Sequence, residues 1–286
     1  MAKSKNKNQT QIVGRAQEIQ ILRAAIKLGR NILIEGPVGV GKTFLVREIL
    51  NDLQLEHERV DGDTRYTESK LTGWFDPPIV LKKGYVASCF MDGPLVSAMR
   101  KGKVLFINEL NRMPESVQNI LLPAMDERHI TIPKLGRIDA KPGFLVIATQ
   151  NPREFTATHS LSEALLDRFE MVLLSYQSKD EECEILRGQL PGKVSEETLE
   201  RVVDLVRATR NHPAIKRGAS VRAALAVMTL ISGGVSLDEA CLLALPSRIE
   251  MVTSDEDPRQ IIRELLSTDI FPEMKEKKSP QKSSQR

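Results

Sequence analysis

Residues 36 to 43 read Gly36-Pro37-Val38-Gly39-Val40-Gly41-Lys42-Thr43. The stretch fits G-x-x-x-x-G-K-S/T, a loop whose glycines let backbone N–H groups curl round a phosphate chain while the lysine reaches the terminal phosphates. Thr43 then offers its hydroxyl to magnesium. Upstream, Asn31-Ile32-Leu33-Ile34-Glu35 is a short apolar strand, and downstream Thr43 to Leu50 carries helical spacing. That order turns the positive end of the helix towards the phosphates. The plain alternative is a glycine-rich turn that binds nothing, but every fixed position of the motif is met inside a strand, a loop and a helix. The candidate nucleotide ligands are therefore Gly36, Pro37, Val38, Gly39, Val40, Gly41, Lys42, Thr43 and Phe44, with ATP and Mg2+ as expected cofactors.

Composition limits the classes open to the chain. Its 286 residues suit one large domain plus a smaller one. Forty-one basic against thirty-eight acidic residues leave a formal charge of +3, too near balance to imply a nucleic-acid or anionic-membrane surface. Cys89, Cys183 and Cys241 are far apart in apolar stretches, which suggests buried free thiols rather than a disulfide framework or a thiolate metal site. His57, His129, His159 and His212 have no ligand spacing. No apolar run approaches the roughly 18 residues needed to span a bilayer, and a cytoplasmic location is expected.

Along the chain, the polar residues 1–11 predict a flexible lead and the apolar face Ile19, Leu22, Ala25 and Ile26 a helix over Ala16 to Leu28. Glu58 to Asp61 is a weaker strand, and Thr64 to Cys89 an irregular insertion whose Pro77 and Pro78 break any helix. Trp74 and Phe75 are expected to pack there, although an aromatic pair in an insertion also suits a partner. Further helices are predicted over Gly93 to Lys101, Ser116 to Arg128 and Ser162 to Leu166, with buried strands at Val104 to Ile107, Phe144 to Thr149 and Met171 to Leu174. Ile130 to Ala140 reads as a hairpin turning at Lys134-Leu135-Gly136. Alternating strands and helices imply a parallel sheet with helices on both faces. From Lys179 onward the pattern is helical, so the domain expectation is a core at 12–177, a helical lid at 178–272 and a polar tail at 273–286.

A phosphate loop needs a second strand bearing acids. Val104-Leu105-Phe106-Ile107 runs into Asn108-Glu109, an apolar strand ending in two polar residues at the carboxyl edge of the sheet. Glu109 suits the task of orienting and deprotonating a hydrolytic water, against the plain reading of a surface Glu closing a strand. Asn108 occupies the position where such sites hold an aspartate that supports magnesium. Its amide oxygen can serve as a partner, but it brings no negative charge, so weaker magnesium affinity or slower turnover is expected.

The motifs together resemble the MoxR-type AAA+ ATPases. Gly36 to Thr43, Asn108 to Arg112, Ala148-Thr149-Gln150-Asn151-Pro152, Ser162 to Phe169 and Gly218 to Arg222 occur in that family's order, over about Ile12 to Met251. The family's aspartate is Asn108 here, and its usual LPEAQ reads Leu161-Ser162-Glu163-Ala164-Leu165. The resemblance implies a P-loop NTPase core with a small all-helical lid. It implies Asn151 as first sensor, Arg168 as an arginine finger for the neighbouring subunit, Arg222 as second sensor, and Val13 with Gly14 against adenine. The bland readings stay open beside each: an Asn-Pro turn, a salt bridge of Arg168 with Asp167 or Glu170, a solvent-facing Arg222, and an ordinary helix lead-in. The resemblance further implies a homo-oligomeric ring, commonly a hexamer. Its implied activity is chaperone-like remodelling of a protein client, of which proteins with a von Willebrand factor A-type domain are the family's common partners, and a pore-facing role for the 130–140 hairpin. Two rivals are a nucleotide-dependent scaffold with weak hydrolysis, motivated by Asn108, and a nucleic-acid motor, against which the balanced charge argues.

Overall fold

The structure is a computed structural model that describes residues 12–151, 160–190 and 195–267. The expected lead at 1–11 and tail at 273–286 lie outside the described residues, as do His159 and Pro152. The chain divides into two compact units, Met1–Gln177 and Ser178–Arg286.

The first unit is built on a parallel sheet of five strands: β1 Ile32–Glu35, β2 His57–Asp61, β3 Val104–Asn108, β4 Leu145–Gln150 and β5 Glu170–Leu173. Their spatial order is β2-β3-β4-β1-β5, all pairs parallel. Because side chains alternate across a strand, burial on both faces needs apolar residues at every position. Ile32, Ile34, Phe106 and Ile147 pack on one face against helices α1 (Ala16–Lys27) and α2 (Lys42–Asp52). Leu33, Leu105, Ile107 and Val146 pack on the other, with Leu95, Val96 and Met99 of helix Pro94–Lys101. The sheet thus has helices on both faces, and the first strand lies inside it with neighbours on either side.

Local differences from the sequence expectation have physical causes. The insertion is ordered: Gly73–Phe75 pairs antiparallel with Phe90–Asp92, Trp74 opposite Met91. Pro77 and Pro78 begin helix Pro77–Lys83 rather than breaking one, since the first helical positions need no intrahelical N–H donor. Phe75 packs edge-on against Tyr85 and Phe90, both with ring centroids 5.1 Å away, whereas Trp74 stays 47% exposed and is not a packing residue. The helix expected over Ser116 to Arg128 is two pieces, Glu115–Asn119 and Leu121–Asp126. Pro123 has no N–H to offer the carbonyl of residue 119, so the ladder restarts. The hairpin pairs His129–Ile132 with Gly136–Asp139, and Lys134 takes a left-handed conformation with φ 67° in the turn.

The second unit packs helices Lys179–Gln189, Glu196–Asn211, Val221–Ser232, Leu237–Ala244 and Pro258–Ser267 around Leu186, Val202, Val206, Val227 and Ile262. Ser178 and Glu181 form a reciprocal capping box at the first of these, and Ser195 and Ser236 cap the second and fourth. A short antiparallel ribbon, Ile215–Arg217 with Glu250–Met251, joins the helices and has no periodic signal in so few residues. Burial pushes the Cys241 thiol up to about 12, which keeps it an inert core residue.

Glu182 is the charged group of this core. Its side chain is 2% exposed and accepts from Arg210 Nη1 at 2.7 Å and Arg207 Nη1 at 3.3 Å. Removing one partner of a buried pair leaves the other charge uncompensated. Glu182→Ala is expected to destabilise the second unit by about 3 kcal/mol, the low end of the range because Arg207 is partly solvated. Calorimetric unfolding checks this, and a transition unchanged from the wild type would contradict it.

Candidate functional site

The loop from Gly36 to Gly41 leaves the carboxyl end of β1 and enters α2. Gly36 admits no side chain, because a Cβ there would stand 2.4 Å from the Leu174 carbonyl oxygen. Gly41, the N-cap of α2, has φ 90°, a conformation that only glycine adopts without strain. No side chain caps α2. Its first-turn N–H groups and positive end form an anion-binding terminus. Val40 is buried in the core beneath the loop, and Phe44 carries the Arg47 guanidinium 5.4 Å from its ring centroid.

Lys42 is buried, and its ammonium donates to the carbonyl oxygens of Gly36 at 2.6 Å and Pro37 at 2.9 Å. It also donates to Asn151 Oδ1 at 2.8 Å. Asn151 directly follows β4 and turns its amide nitrogen to Glu109 Oε1 at 3.3 Å. One amide thus touches both the loop lysine and the acid. Its own carbonyl oxygen accepts from Asn111 Nδ2 at 3.1 Å, which fixes the residue's backbone.

Glu109 follows β3 with φ 58° and ψ 52°, a left-handed conformation uncommon outside glycine. Its N–H donates to Thr149 Oγ1 at 3.0 Å. That hydrogen bond holds the chain reversal that brings the carboxylate beside Asn151. Arg112, three residues on, donates to Glu109 Oε2 at 2.7 Å, and the carboxylate beside it raises the Arg112 guanidinium's pKa. Both oxygens of Glu109 therefore have partners in this conformation.

Asn108 is the centre of a second network. Its Oδ1 accepts from Thr43 Oγ1 at 2.7 Å and from Thr149 Oγ1 at 3.0 Å. Its Nδ2 donates to Asp61 Oδ1 at 2.9 Å. Asp61 ends β2 directly opposite Asn108 in the register, and Arg59 donates to the same oxygen at 2.8 Å. Thr149 falls within the 148–152 motif, but Asp61 is not signalled by any motif; only the pairing of neighbouring strands puts it here. The donors gathered round Thr43 are hydroxyl, amide and carboxylate oxygens, a set that suits a hard cation such as magnesium.

The other candidates lie apart from these contacts. Arg168 donates to Asp126 Oδ2 at 2.8 Å and to the Ala164 carbonyl at 2.7 Å, with Asp167 at 3.8 Å. Glu170, offered as an alternative partner, pairs with Arg30. Val13 accepts from Gln177 Nε2 at 2.5 Å, and Gly14 takes φ 66°. Arg15 spans from this lead-in to the Val40 and Ser175 carbonyls at 3.2 and 2.8 Å, anchoring it beside the loop. Arg222 belongs to the second unit, exposed in the first turn of Val221–Ser232.

A phosphate loop after the first strand, an amide after the parallel strand beside it, an acid at the end of the strand beyond that, and a helical second unit define an AAA+ P-loop protein. Residues 31–169 match the family described as AAA domain (dynein-related subfamily), and residues 182–268 match the CbbQ/NirQ/NorQ C-terminal family. The chain belongs to the MoxR-like AAA+ ATPases. It is 28% identical over 247 residues to the gas vesicle ATPase GvpN of Haloferax mediterranei, covering 80% of this chain and 71% of that one. To the protein YeaC of Bacillus subtilis it is 30% identical over 239 residues, covering 74% and 72%. A solved structure from Cytophaga hutchinsonii, whose description proposes an ATPase, superposes with a TM-score of 0.51 at 26% identity and 90% coverage of both chains. A RuvB variant from Thermotoga maritima, at 19% identity and a TM-score of 0.53 over 81% of this chain and 70% of that one, shares the fold. Among the described residues no helix is long and apolar enough to cross a membrane.

Proposed function

We propose that this chain binds ATP with magnesium at Gly36 to Thr43 and hydrolyses it, and that it works as a cytoplasmic ring, most simply a hexamer, that remodels a protein partner. The observation that carries the catalytic half is the Asn151 amide, joined on one side to Lys42 and on the other to Glu109. A residue so placed relates the phosphate end of the site to the water end. Glu109 is the base: its carboxylate accepts a proton from the attacking water once Arg112 gives way. Lys42 exchanges its carbonyl partners for phosphate oxygens, and the first-turn N–H groups of α2 donate to the remaining oxygens. Thr43 and Asn108 would hold magnesium, which offsets charge on the phosphate oxygens when bound. Val13 and Gly14 suit the adenine side because Arg15 ties their segment to the loop.

Ring assembly and the trans role of Arg168 rest on the family. To act on a neighbour's nucleotide, Arg168 exchanges the half-exposed Asp126 for a phosphoryl group, which costs little because such surface pairs are weak. Arg222 is assigned as second sensor on the same footing. A protein client is supported by the insertion, whose Trp74, Leu81, Tyr85, Val86 and Met91 are exposed apolar side chains on one short segment. A von Willebrand factor A-type domain is the partner class that the family suggests. Complementation tests the ring directly: Glu109→Gln and Arg168→Ala are each expected to be inactive alone, and an equimolar mixture to regain part of the wild-type phosphate release. A mixture no faster than the separate variants would contradict the assignment. The scaffold reading is favoured by one feature, the uncharged Asn108, and is separated by hydrolysis itself.

A further inference from the structure

Asn108 presents a neutral amide where a carboxylate would bring charge, and the nearest compensation lies one strand across. Asp61 and Asn108 are register partners at the carboxyl ends of β2 and β3, joined by Asn108 Nδ2 to Asp61 Oδ1 at 2.9 Å. On its other side the Asn108 amide accepts from both Thr43 and Thr149. An aspartate at 108 would offer oxygens in both directions and need no orienting partner. An asparagine has one oxygen and one NH2, and turned the other way its oxygen would face the Asp61 carboxylate, acceptor against acceptor. The acceptor on its outer side thus keeps the amide oxygen on Thr43.

We propose that Asp61 is the positioning residue of the magnesium side of this site: it orients the Asn108 amide and supplies from β2 the negative charge that β3 lacks. The proposal rests on the reading of Gly36 to Thr43 as a magnesium-nucleotide site. Asp61 has the chemistry for it. Arg59 donates to its carboxylate at 2.8 Å and the Asn108 amide at 2.9 Å, two partners that favour the charged form. Arg59 and Asn108 both bind Oδ1, and among the described residues Oδ2 has no hydrogen-bond donor. A carboxylate oxygen is thus left over for a water of a cation's hydration shell, the manner in which magnesium is commonly held. Gly62 N–H donates to the Asn108 carbonyl at 2.7 Å, fixing the β2 exit against β3. The backbone that carries Asp61 is therefore held in place beside Asn108.

The test is a fluorescence titration of a labelled ATP analogue onto the full chain at increasing Mg2+, with EDTA as the zero point, so that the readout is metal-dependent binding rather than turnover. Asp61→Asn keeps an acceptor but removes the charge, and is expected to raise the Mg2+ midpoint about tenfold, as loss of an outer-shell partner does. The exchange Asp61→Asn with Asn108→Asp returns the charge to the site and is expected to bring the midpoint back towards the wild type. Asp61 has a 61% exposed side chain, so Asp61→Asn does not threaten folding, and a thermal unfolding scan checks the exchange variant. A wild-type midpoint retained in Asp61→Asn, or an exchange variant as weak as Asp61→Asn, overturns the proposal while leaving the nucleotide site intact. A wild-type chain that binds no analogue at any Mg2+ overturns the site itself and the proposal with it.

Discussion

Glu109→Gln is expected to lower ATP hydrolysis by about 10²- to 10⁴-fold, the usual worth of a positioned general base, while ATP affinity stays close to that of the wild type. The two effects separate because the substitution keeps the shape of the side chain and its place beside Asn151, and removes only the capacity to take a proton. It also loses the ion pair with Arg112. That pair joins side chains 31% and 43% exposed, so its contribution to folding is small and the thermal transition should hardly move. Filter binding and phosphate release on the same preparation check both halves. A variant that hydrolyses at the wild-type rate would remove Glu109 from the chemistry.

Lys42→Ala is expected to weaken ATP binding rather than hydrolysis alone. The ammonium is buried, so its charge-assisted bonds to phosphate oxygens form in a weakly screened environment. Their loss costs about 3 kcal/mol, about a hundredfold in Kd. The fold should tolerate the change, because Lys42 sits at the loop mouth and donates there to two carbonyls and an amide oxygen. Calorimetric titration measures the affinity, and an unchanged Kd would mean that the loop does not grip the phosphates.

How much of this was legible in the sequence follows from where each signal is stored. The loop is contiguous, so Gly36 to Thr43 and the strand and helix around it can be read directly. Asn108 and Glu109 are legible because an apolar run ends abruptly in two polar residues. Contacts that depend on lateral pairing are not: Asp61 meets Asn108 only because β2 and β3 lie side by side in one register, 47 positions apart in the chain. Arg168 meets Asp126 for a similar reason, through two elements 42 positions apart, whereas the sequence offered only its neighbours Asp167 and Glu170. The insertion was misread because Pro77-Pro78 can stop a helix or start one, and only its backbone context decides which. Its strands of three residues are too short to show alternation.

The central claim is that this chain turns over the ATP it binds, despite an uncharged residue at 108. The most direct measurement is a single-turnover quench with radiolabelled ATP and excess wild-type protein in Mg2+, run beside Glu109→Gln. The account predicts that the wild type converts its bound ATP to ADP and phosphate while Glu109→Gln returns it intact. Bound ATP recovered unhydrolysed from both proteins alike would contradict it, and would make the site a nucleotide-holding scaffold.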